Sequence, residues 1–391
     1  PLVLFRRIRR SQKAIPKIVS EPYAFRAHTA PNRLVAQAME TNNAENGAVT
    51  PGIVEHYGRL AAGGWGIVFV EAISITDRHL ARRRGLVITE DRLDGYKRLT
   101  ETFRKTNDRS LFLFQLSHAG RLSGPFSRPV GAYDDGRSDI PVLSEAELDE
   151  AVDNLVRAAD LARRAGADGV DIKACHGYLG GELLRPLNTR ADRYGGAPEN
   201  RGRYVAAAIR EIKRRHPDFL VGSRISLFEG IRGGCGTAGP DEVIEDLSDT
   251  LGVVSVIAGA GADFINVSAG IPVLTPGLTR PTVAGDVNLY HHFRYAKAVR
   301  DRCPGVAVIG SAYSVGRETA AEYAGENITK GYTDFAGFGR QNLADPRFPM
   351  KLFSGSEKID YCTLCGGCSR LLGKQEVVFC TTYTPKRQPR P

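Results

Sequence analysis

Eight short apolar runs, each followed by a longer stretch with helical spacing, leave this chain few architectures. The runs span residues 33–38, 66–70, 111–116, 169–173, 221–225, 264–267, 306–309 and 334–337. Several are β-branched or apolar at every position, as expected of strands buried on both faces. The clearest helical stretch is 144–164. There Ser144 and Glu147 stand as a capping box, and Leu148, Val152, Leu155, Ala159 and Ala162 recur at helical spacing. Residues 200–215 and 240–260 are predicted helices as well. Eight strand–helix pairs in succession predict an α/β fold, a closed parallel (β/α)8 TIM barrel. A doubly wound open sheet is the alternative. It calls for a Gly-rich fingerprint after its first strand, and none follows residues 33–38. Long loops follow strand three (120–142), strand four and strand six; in a barrel these stand at the reactive face.

Bulk properties narrow the function classes. No apolar run in the 391 residues approaches membrane-spanning length, so the protein is expected in solution, in the cytoplasm. The formal charge of +9 is spread along the chain, and no motif of a nucleic-acid-binding fold appears. The basic balance points to small phosphorylated ligands, with a merely basic surface as the plain alternative. Arg6, Arg7, Arg9, Arg10, Lys13 and Lys17 crowd the first twenty residues without an acid. Leu2–Phe5 is too short, and comes too early, for the apolar core of a secretory signal. A basic extension is expected there; an organellar presequence is the alternative. Of seven cysteines, Cys175, Cys235 and Cys303 are scattered, whereas Cys362, Cys365, Cys368 and Cys380 are clustered. That distribution suggests a reducing compartment and a thiolate-bound metal centre rather than a disulfide scaffold.

The densest polar cluster follows strand four, at Asp171-Ile-Lys173-Ala-Cys175-His176-Gly-Tyr178. Alternation along a strand turns Asp171 and Lys173 to the same side. Lys173, His176 and Tyr178 are then placed to converge at the barrel mouth as hydrogen-bond donors and a proton-bearing phenol. Singly, each would more often be structural; their place at a strand's C-terminal end favours function. In the following stretch, 188–201, the charges of Asp192, Arg193, Glu199 and Arg201 read as ion pairs shaping a loop.

Several segments carry a resemblance. Asn32–Met39, Gln115–Arg121, His176–Leu179, Asn188 to Arg201 and Gly337-Phe-Gly-Arg340 to Pro346 resemble, in this order, the old yellow enzyme family. The four C-terminal cysteines make the chain similar to the branch of 2,4-dienoyl-CoA reductase and trimethylamine dehydrogenase. The resemblance implies a barrel carrying FMN. Ala38, Met39 and Glu40 would run beside the flavin, with Ala72 near it. Gln115 would hydrogen-bond its pyrimidine edge, and Arg224 would lie by N1 and O2, where reduced flavin carries negative charge. Gly310, Ser311, Gly339 and Arg340 would hold the phosphate, which agrees with the phosphate site that many barrels build after strands seven and eight.

Three departures from the family stand out. Lys173 occupies a position that is often His or Tyr. Glu40 stands where Thr, Cys or His is usual, and an ionised carboxylate there should make the flavin harder to reduce. Residues 266–272 lack the histidine that works with the tyrosine in dienoyl-CoA reductase.

The spacing Cys362-x2-Cys365-x2-Cys368-x11-Cys380 suits a [4Fe–4S] cluster, three thiolates from one tight loop and the fourth from the segment after it. Structural zinc, usually held by two separated pairs, is the alternative. The expected organisation is a basic extension (1–30), the FMN barrel (31–353) and a cluster-binding segment with a polar tail (354–391).

The expected reaction is reduction of an activated C=C bond in an enone or enoyl-CoA. A hydride would come from reduced FMN and a proton from Tyr178, with Lys173 and His176 polarising the carbonyl and the cluster relaying electrons. Arg82, Arg83 and Arg84 are candidates to meet a CoA phosphate or carboxylate, or else form a solvated basic loop. The branch often continues into FAD- and NAD(P)-binding domains, yet no Gly-x-Gly-x-x-Gly follows a strand here. The electron donor is then NAD(P)H acting directly, a partner protein, or a further domain outside this sequence. A homo-oligomer is expected. The rival readings are an amine or N-methyl dehydrogenase and a non-catalytic electron-transfer subunit.

Overall fold

A computed structural model describes residues 15–136, 139–282 and 287–384. The basic residues Arg6, Arg7, Arg9, Arg10 and Lys13, two residues of the loop after strand three (137–138) and the tail from residue 385 lie outside that range. All eight expected runs are strands: β1 Leu34–Ala36, β2 Ile67–Ser74, β3 Leu111–Ser117, β4 Gly169–Ala174, β5 Leu220–Ser226, β6 Phe264–Ser268, β7 Ala307–Gly310 and β8 Phe335–Phe338. Each pairs in parallel with its neighbours in chain order. Pairing of Gly337 with Val35 closes β8 onto β1, and no strand edge is left in the ring. The main helices alternate with the strands: α1 Pro51–Ala61, α2 Leu93–Thr106, α3 Glu145–Arg164, α4 Arg203–Arg215, α5 Ser248–Gly259, α6 Val287–Arg302, α7 Ala320–Thr329 and α8 Phe348–Ser354. A further short helix, α9, spans Gly367–Gly373.

Local chemistry explains the boundaries. Ser144 and Glu147 form the capping box that starts α3. Thr50 caps α1 ahead of Pro51, whose missing N–H costs nothing at that position. The helix expected over 240–260 begins only at Ser248. Asp246 accepts a hydrogen bond from the Ser248 N–H at 2.9 Å, and Val243 and Ile244 before it stay exposed. Likewise α4 starts at Arg203, behind a separate turn at Pro198–Arg201.

Strand β2 runs four residues beyond the expected end because a bulge hides its second half. Val70 pairs with Phe114 and Ala72 with Gln115, so Glu71 drops out of register. Its carboxylate accepts from the Thr41 N–H at 2.8 Å and the Thr41 hydroxyl at 2.5 Å.

Two apolar layers hold the fold. Inside the barrel, Val35, Ile67, Phe69, Leu113, Phe264 and Phe335 pack against one another; a larger cluster fills the space between sheet and helices. Burying each such side chain stabilises by about 1.5–3 kcal/mol. At the strands' N-terminal end, a hairpin of Tyr23–Ala24 and Thr29–Ala30 covers the interior. The Tyr23 ring lies 4.9 Å from Phe335, and Phe25 stacks on the same ring. With one end closed by packing, the interior opens only at the C-terminal end of the strands.

Candidate active site

The main cavity, of about 240 Å³, opens at that end. From β1 the chain crosses its floor as Gln37, Ala38, Met39 and Glu40. Gln37 and Asn266 exchange two side-chain hydrogen bonds, at 2.8 and 2.9 Å. Gly337 opposite must be glycine, because a Cβ there would sit 2.6 Å from the backbone carbonyl oxygen of Gly310. From β3, Gln115 donates its amide to Asp171 at 2.7 Å, leaving its carbonyl oxygen for the cavity. Burial pushes Asp171 up to about 6, although Gln115, Arg224 and Lys173 work against the rise.

One carboxylate organises the centre. Tyr178 donates its hydroxyl to Glu40 Oε1 at 2.7 Å, and Arg82 grips Oε2 with Nε at 3.0 Å and Nη2 at 2.8 Å. The Lys173 ammonium lies 3.7 Å from Glu40 and 3.5 Å from the centre of the Tyr178 ring. Burial disfavours the Glu40 anion, but Arg82, Lys173 and the Tyr178 hydroxyl outweigh it and hold the carboxyl well below the usual range. Burial and Glu40 together raise the Tyr178 phenol, against Lys173 and Arg82, so it stays neutral at pH 7. Burial also opposes the Lys173 charge, yet Tyr178 and Glu40 hold its ammonium above the ordinary value.

His176 takes a left-handed backbone (φ 61°), followed by Gly177 in the same region, and this turn brings it over Ser268 at 2.8 Å. Burial, Arg224 and Lys173 push its pKa far down, so the ring is neutral. Arg224 of β5 reaches Ser268 only at 3.5 Å, and its buried Nε has no partner among the described residues.

At the far end, Ser311 and Arg340 line the cavity with Gly339. The His292 Nε2 bonds the Leu278 carbonyl at 2.8 Å, so it carries the proton and Nδ1 accepts from the Ser311 hydroxyl at 3.0 Å. The cavity therefore gathers Ala38, Met39, Glu40, Gln115, Lys173, His176, Tyr178, Arg224, Ser311, Gly339 and Arg340. Two expected residues stand apart. Gly310 donates its N–H to Thr333 Oγ1 at 2.9 Å, so the donors this loop can offer come after it. Ala72 lines a small polar cavity on the other side of Glu40 and Tyr178. Sequence reasoning missed Gln37, Asn266, Ser268, Arg280 and His292, and it missed that Arg82 is committed to Glu40. Alternation along β6 could have found Ser268; nothing local marks Arg280.

The C-terminal segment forms a wall of this cavity. The Val378 N–H donates to the Thr41 carbonyl at 2.8 Å, and Gln341 bonds the Asp360 carbonyl and the Cys362 N–H at 3.1 and 2.9 Å. Cys368, Leu372 and Val378 face the cavity. None of the seven cysteines is paired in a disulfide. Among the described residues no three His, Cys, Asp or Glu side chains converge as ligands of a metal ion. Of the charges expected to pair at 188–201, Asp192 pairs with Arg190 inside the loop, Arg193 and Arg201 tie it to Asp149 of α3 and Asp249 of α5, and Glu199 makes no ion pair among the described residues. No helix among the described residues is long and apolar enough to cross a membrane.

Known proteins share this architecture. The model of the NADH:flavin oxidoreductase / NADH oxidase family matches residues 19–358. The NADPH dehydrogenase of Bacillus subtilis (strain 168) is 31% identical over 337 residues, 84% of this chain and 91% of the relative. Among solved structures, the 2-naphthoyl-CoA reductase–2-naphthoyl-CoA complex superposes with a TM-score of 0.81 at 21% identity. That match covers 93% of this chain and 56% of the other. An old yellow enzyme homologue from Zymomonas mobilis gives a TM-score of 0.70 at 22% identity, over 94% of this chain and 97% of its own. These two likenesses establish the fold.

Proposed function

Since the chain belongs to the NADH:flavin oxidoreductase / NADH oxidase family, and is therefore a flavin-dependent NAD(P)H oxidoreductase, we propose that it reduces an activated C=C bond in an enone or enoyl thioester. The observation that carries this reading is the convergence of Tyr178, Lys173 and His176 on the cavity that Gln115, Arg224, Ser311 and Arg340 line.

The residues suit FMN. The buried, unpartnered Arg224 Nε fits the electron-rich edge of a flavin, and the Gln115 carbonyl fits an imide N–H. Ser311, Gly339 and Arg340 suit a phosphate, with Arg340 as the charged donor. Bound FMN would supply the hydride that adds to the β-carbon. Lys173 and neutral His176 polarise the substrate carbonyl. Tyr178 supplies the proton at the α-carbon, its hydroxyl turning from Glu40 to do so. Lys173 and Arg82 then stabilise the phenolate it leaves. Running the flavin oxidatively on an amine is disfavoured. A substrate ammonium would meet Arg82, Lys173 and Arg280, and the face of the Tyr178 ring is already taken by Lys173.

The spacing of Cys362, Cys365, Cys368 and Cys380 supports a [4Fe–4S] site on the cavity wall. Thiolate is the donor such a cluster takes, and the four thiols lie on one segment with the Arg340 charge near Cys362, Cys365 and Cys368, although their side chains do not converge in this structure. A cluster there would relay electrons between a donor and the flavin.

Anaerobically purified protein tests these assignments. Mass spectrometry of released cofactor should find FMN, and assays should find iron and acid-labile sulfide in equal amounts. FAD alone, or no flavin in fresh protein, would overturn the FMN assignment; zinc without sulfide would overturn the cluster.

A further inference from the structure

The charges around the main cavity do not balance. Arg82, Lys173, Arg224, Arg280 and Arg340 line it, against Glu40 as the one carboxylate lining it among the described residues. Glu40 is committed to Arg82 and Lys173. Arg224, Arg280 and Arg340 have no carboxylate partner among the described residues. Their hydrogen bonds run instead to Ser268 at 3.5 Å, the Pro272 carbonyl at 3.3 Å and the Pro281 carbonyl at 2.6 Å. Each guanidinium has five N–H donors, so most of this capacity is unused among the described residues.

On the flavin reading, FMN accounts for two of the three. Its phosphate, about −2 at neutral pH, would meet Arg340, and its electron-rich edge would meet Arg224. Arg280 is left over. It is half-buried on the loop after β6, just past the short helix Pro276–Thr279. Arg340 and Cys368 act on its charge most strongly and Arg82 and Glu40 less, and it acts in turn on His176, which places it between the Arg340 end of the cavity and the polarising groups. Beside it, Pro272 and the 70%-exposed Val273 give the entrance an apolar lip, and Leu372 and Val378 continue that surface.

We infer that Arg280 binds an anionic oxygen of the substrate, a carboxylate held one side chain's length from the reacting double bond. The substrate class is then an unsaturated carbonyl compound with an apolar body and a carboxylate. Arg280 discriminates it from neutral compounds of the same shape. A CoA thioester offers anionic oxygens too, but its phosphates lie a pantetheine arm away from the reacting carbons. This inference rests on the flavin reading for Arg224 and Arg340 only.

The test is calorimetric titration of the FMN-loaded protein and its Arg280→Gln variant with benzoate, benzamide and free CoA. Benzoate should bind the parent protein about tenfold or more tightly than benzamide, and weaken with salt. Arg280→Gln should weaken benzoate roughly 10- to 100-fold, the worth of a charge-assisted hydrogen bond, and leave benzamide and FMN content unchanged. Arg280→Lys, which keeps the charge, should recover part of the loss and guards against a misfolded glutamine variant. The inference fails if benzoate binds no better than benzamide, or if Arg280→Gln leaves benzoate untouched. It fails too if the variant loses FMN, which would make Arg280 a phosphate ligand, or if only CoA binding depends on Arg280. Protein purified without flavin would sink the flavin reading, and with it the argument that leaves Arg280 over, a result distinct from failed benzoate binding by the FMN-loaded protein.

Discussion

Two buried charge clusters, which come within four positions of each other in sequence at Tyr178 and Glu182, differ in how their charges add up. In the first, Arg185 holds Glu229 through two hydrogen bonds, at 2.7 and 3.1 Å, and the Tyr133 hydroxyl at 3.1 Å. Arg121 bonds Glu182 at 2.8 Å and Asp135 at 2.9 Å, and the Cys235 and Ala132 N–H groups donate to Glu229 and Glu182. Among the described residues two arginines answer three carboxylates, and Glu182 and Glu229 are at most 1% exposed. In the second, Glu40 alone answers Arg82, Lys173 and the Tyr178 hydroxyl, and the assembly lines an open cavity. Both use arginine, glutamate and tyrosine. The first satisfies itself and is structural. The second keeps excess positive charge at an opening, where a ligand can supply the missing anion.

The largest effect expected from this contrast is catalytic. Tyr178→Phe should slow reoxidation of the reduced flavin by an enone about 10²–10⁴-fold and leave reduction by NAD(P)H intact. Stopped-flow measurement of the two half-reactions checks it; unchanged reoxidation would move the proton donor elsewhere. In the self-satisfied cluster the cost should fall on stability. Arg185→Met strands Glu229 in a buried site and should destabilise by about 3–5 kcal/mol in denaturant unfolding, with FMN still bound to the folded fraction. A loss under 1 kcal/mol would blur the distinction between the clusters.

Glu40→Gln is a smaller test. It keeps a hydrogen-bond acceptor for Tyr178 but leaves Arg82 and Lys173 unneutralised. The flavin should then be easier to reduce, by about 30 mV or more in a potentiometric titration, equivalent to about 1.4 kcal/mol for two electrons. A carboxylate alone would make the flavin harder to reduce, as its sequence position suggests. Paired with two cations, it should mostly cancel their pull, and a potential unchanged in the variant would mean that Glu40 is electrostatically silent.

The last effect is on stability against pH, through His118 just after β3. Its Nδ1 accepts from the Gly120 N–H at 3.1 Å, and burial, helped by His79, pushes its pKa down to about 3 from 6.5. The unfolded chain therefore takes up a proton that the folded one refuses. This contribution is complete above about pH 6.5 and is lost as pH falls toward about 3, at up to about 1.4 kcal/mol per pH unit. Glu71 acts with the opposite sign: burial raises it from 4.5 to about 7, so its contribution is lost as pH rises through that window. His118→Gln should flatten the acid limb between pH 7 and 5 in denaturant titrations. An unaltered slope would show that His118 is not the group being titrated.

Much of the frame was legible because a parallel barrel writes itself locally. A strand covered on both faces must be apolar at nearly every position, and all eight such runs became strands. Alternation also gave the shared direction of Asp171 and Lys173, which meet Gln115 and the cavity respectively. The reading faltered where one residue served another layer. Glu71 looks like the end of β2 because a carboxylate does not belong in a buried strand; the bulge turns it outward to Thr41, and the strand continues to Ser74.

The sequence by itself determined the order of the barrel elements, the cap of α3 and the cysteine spacing. These depend on residues a few positions apart, whose geometry the backbone sets. Tertiary structure alone decided which charges are spent. Glu40 and Tyr178 are 138 positions apart, and Gln37 and Asn266 are separated by 229. Whether a glutamate is neutralised, an arginine left free or a glycine amide already taken depends on which distant groups barrel closure brings within about 3 Å, and no local pattern records that.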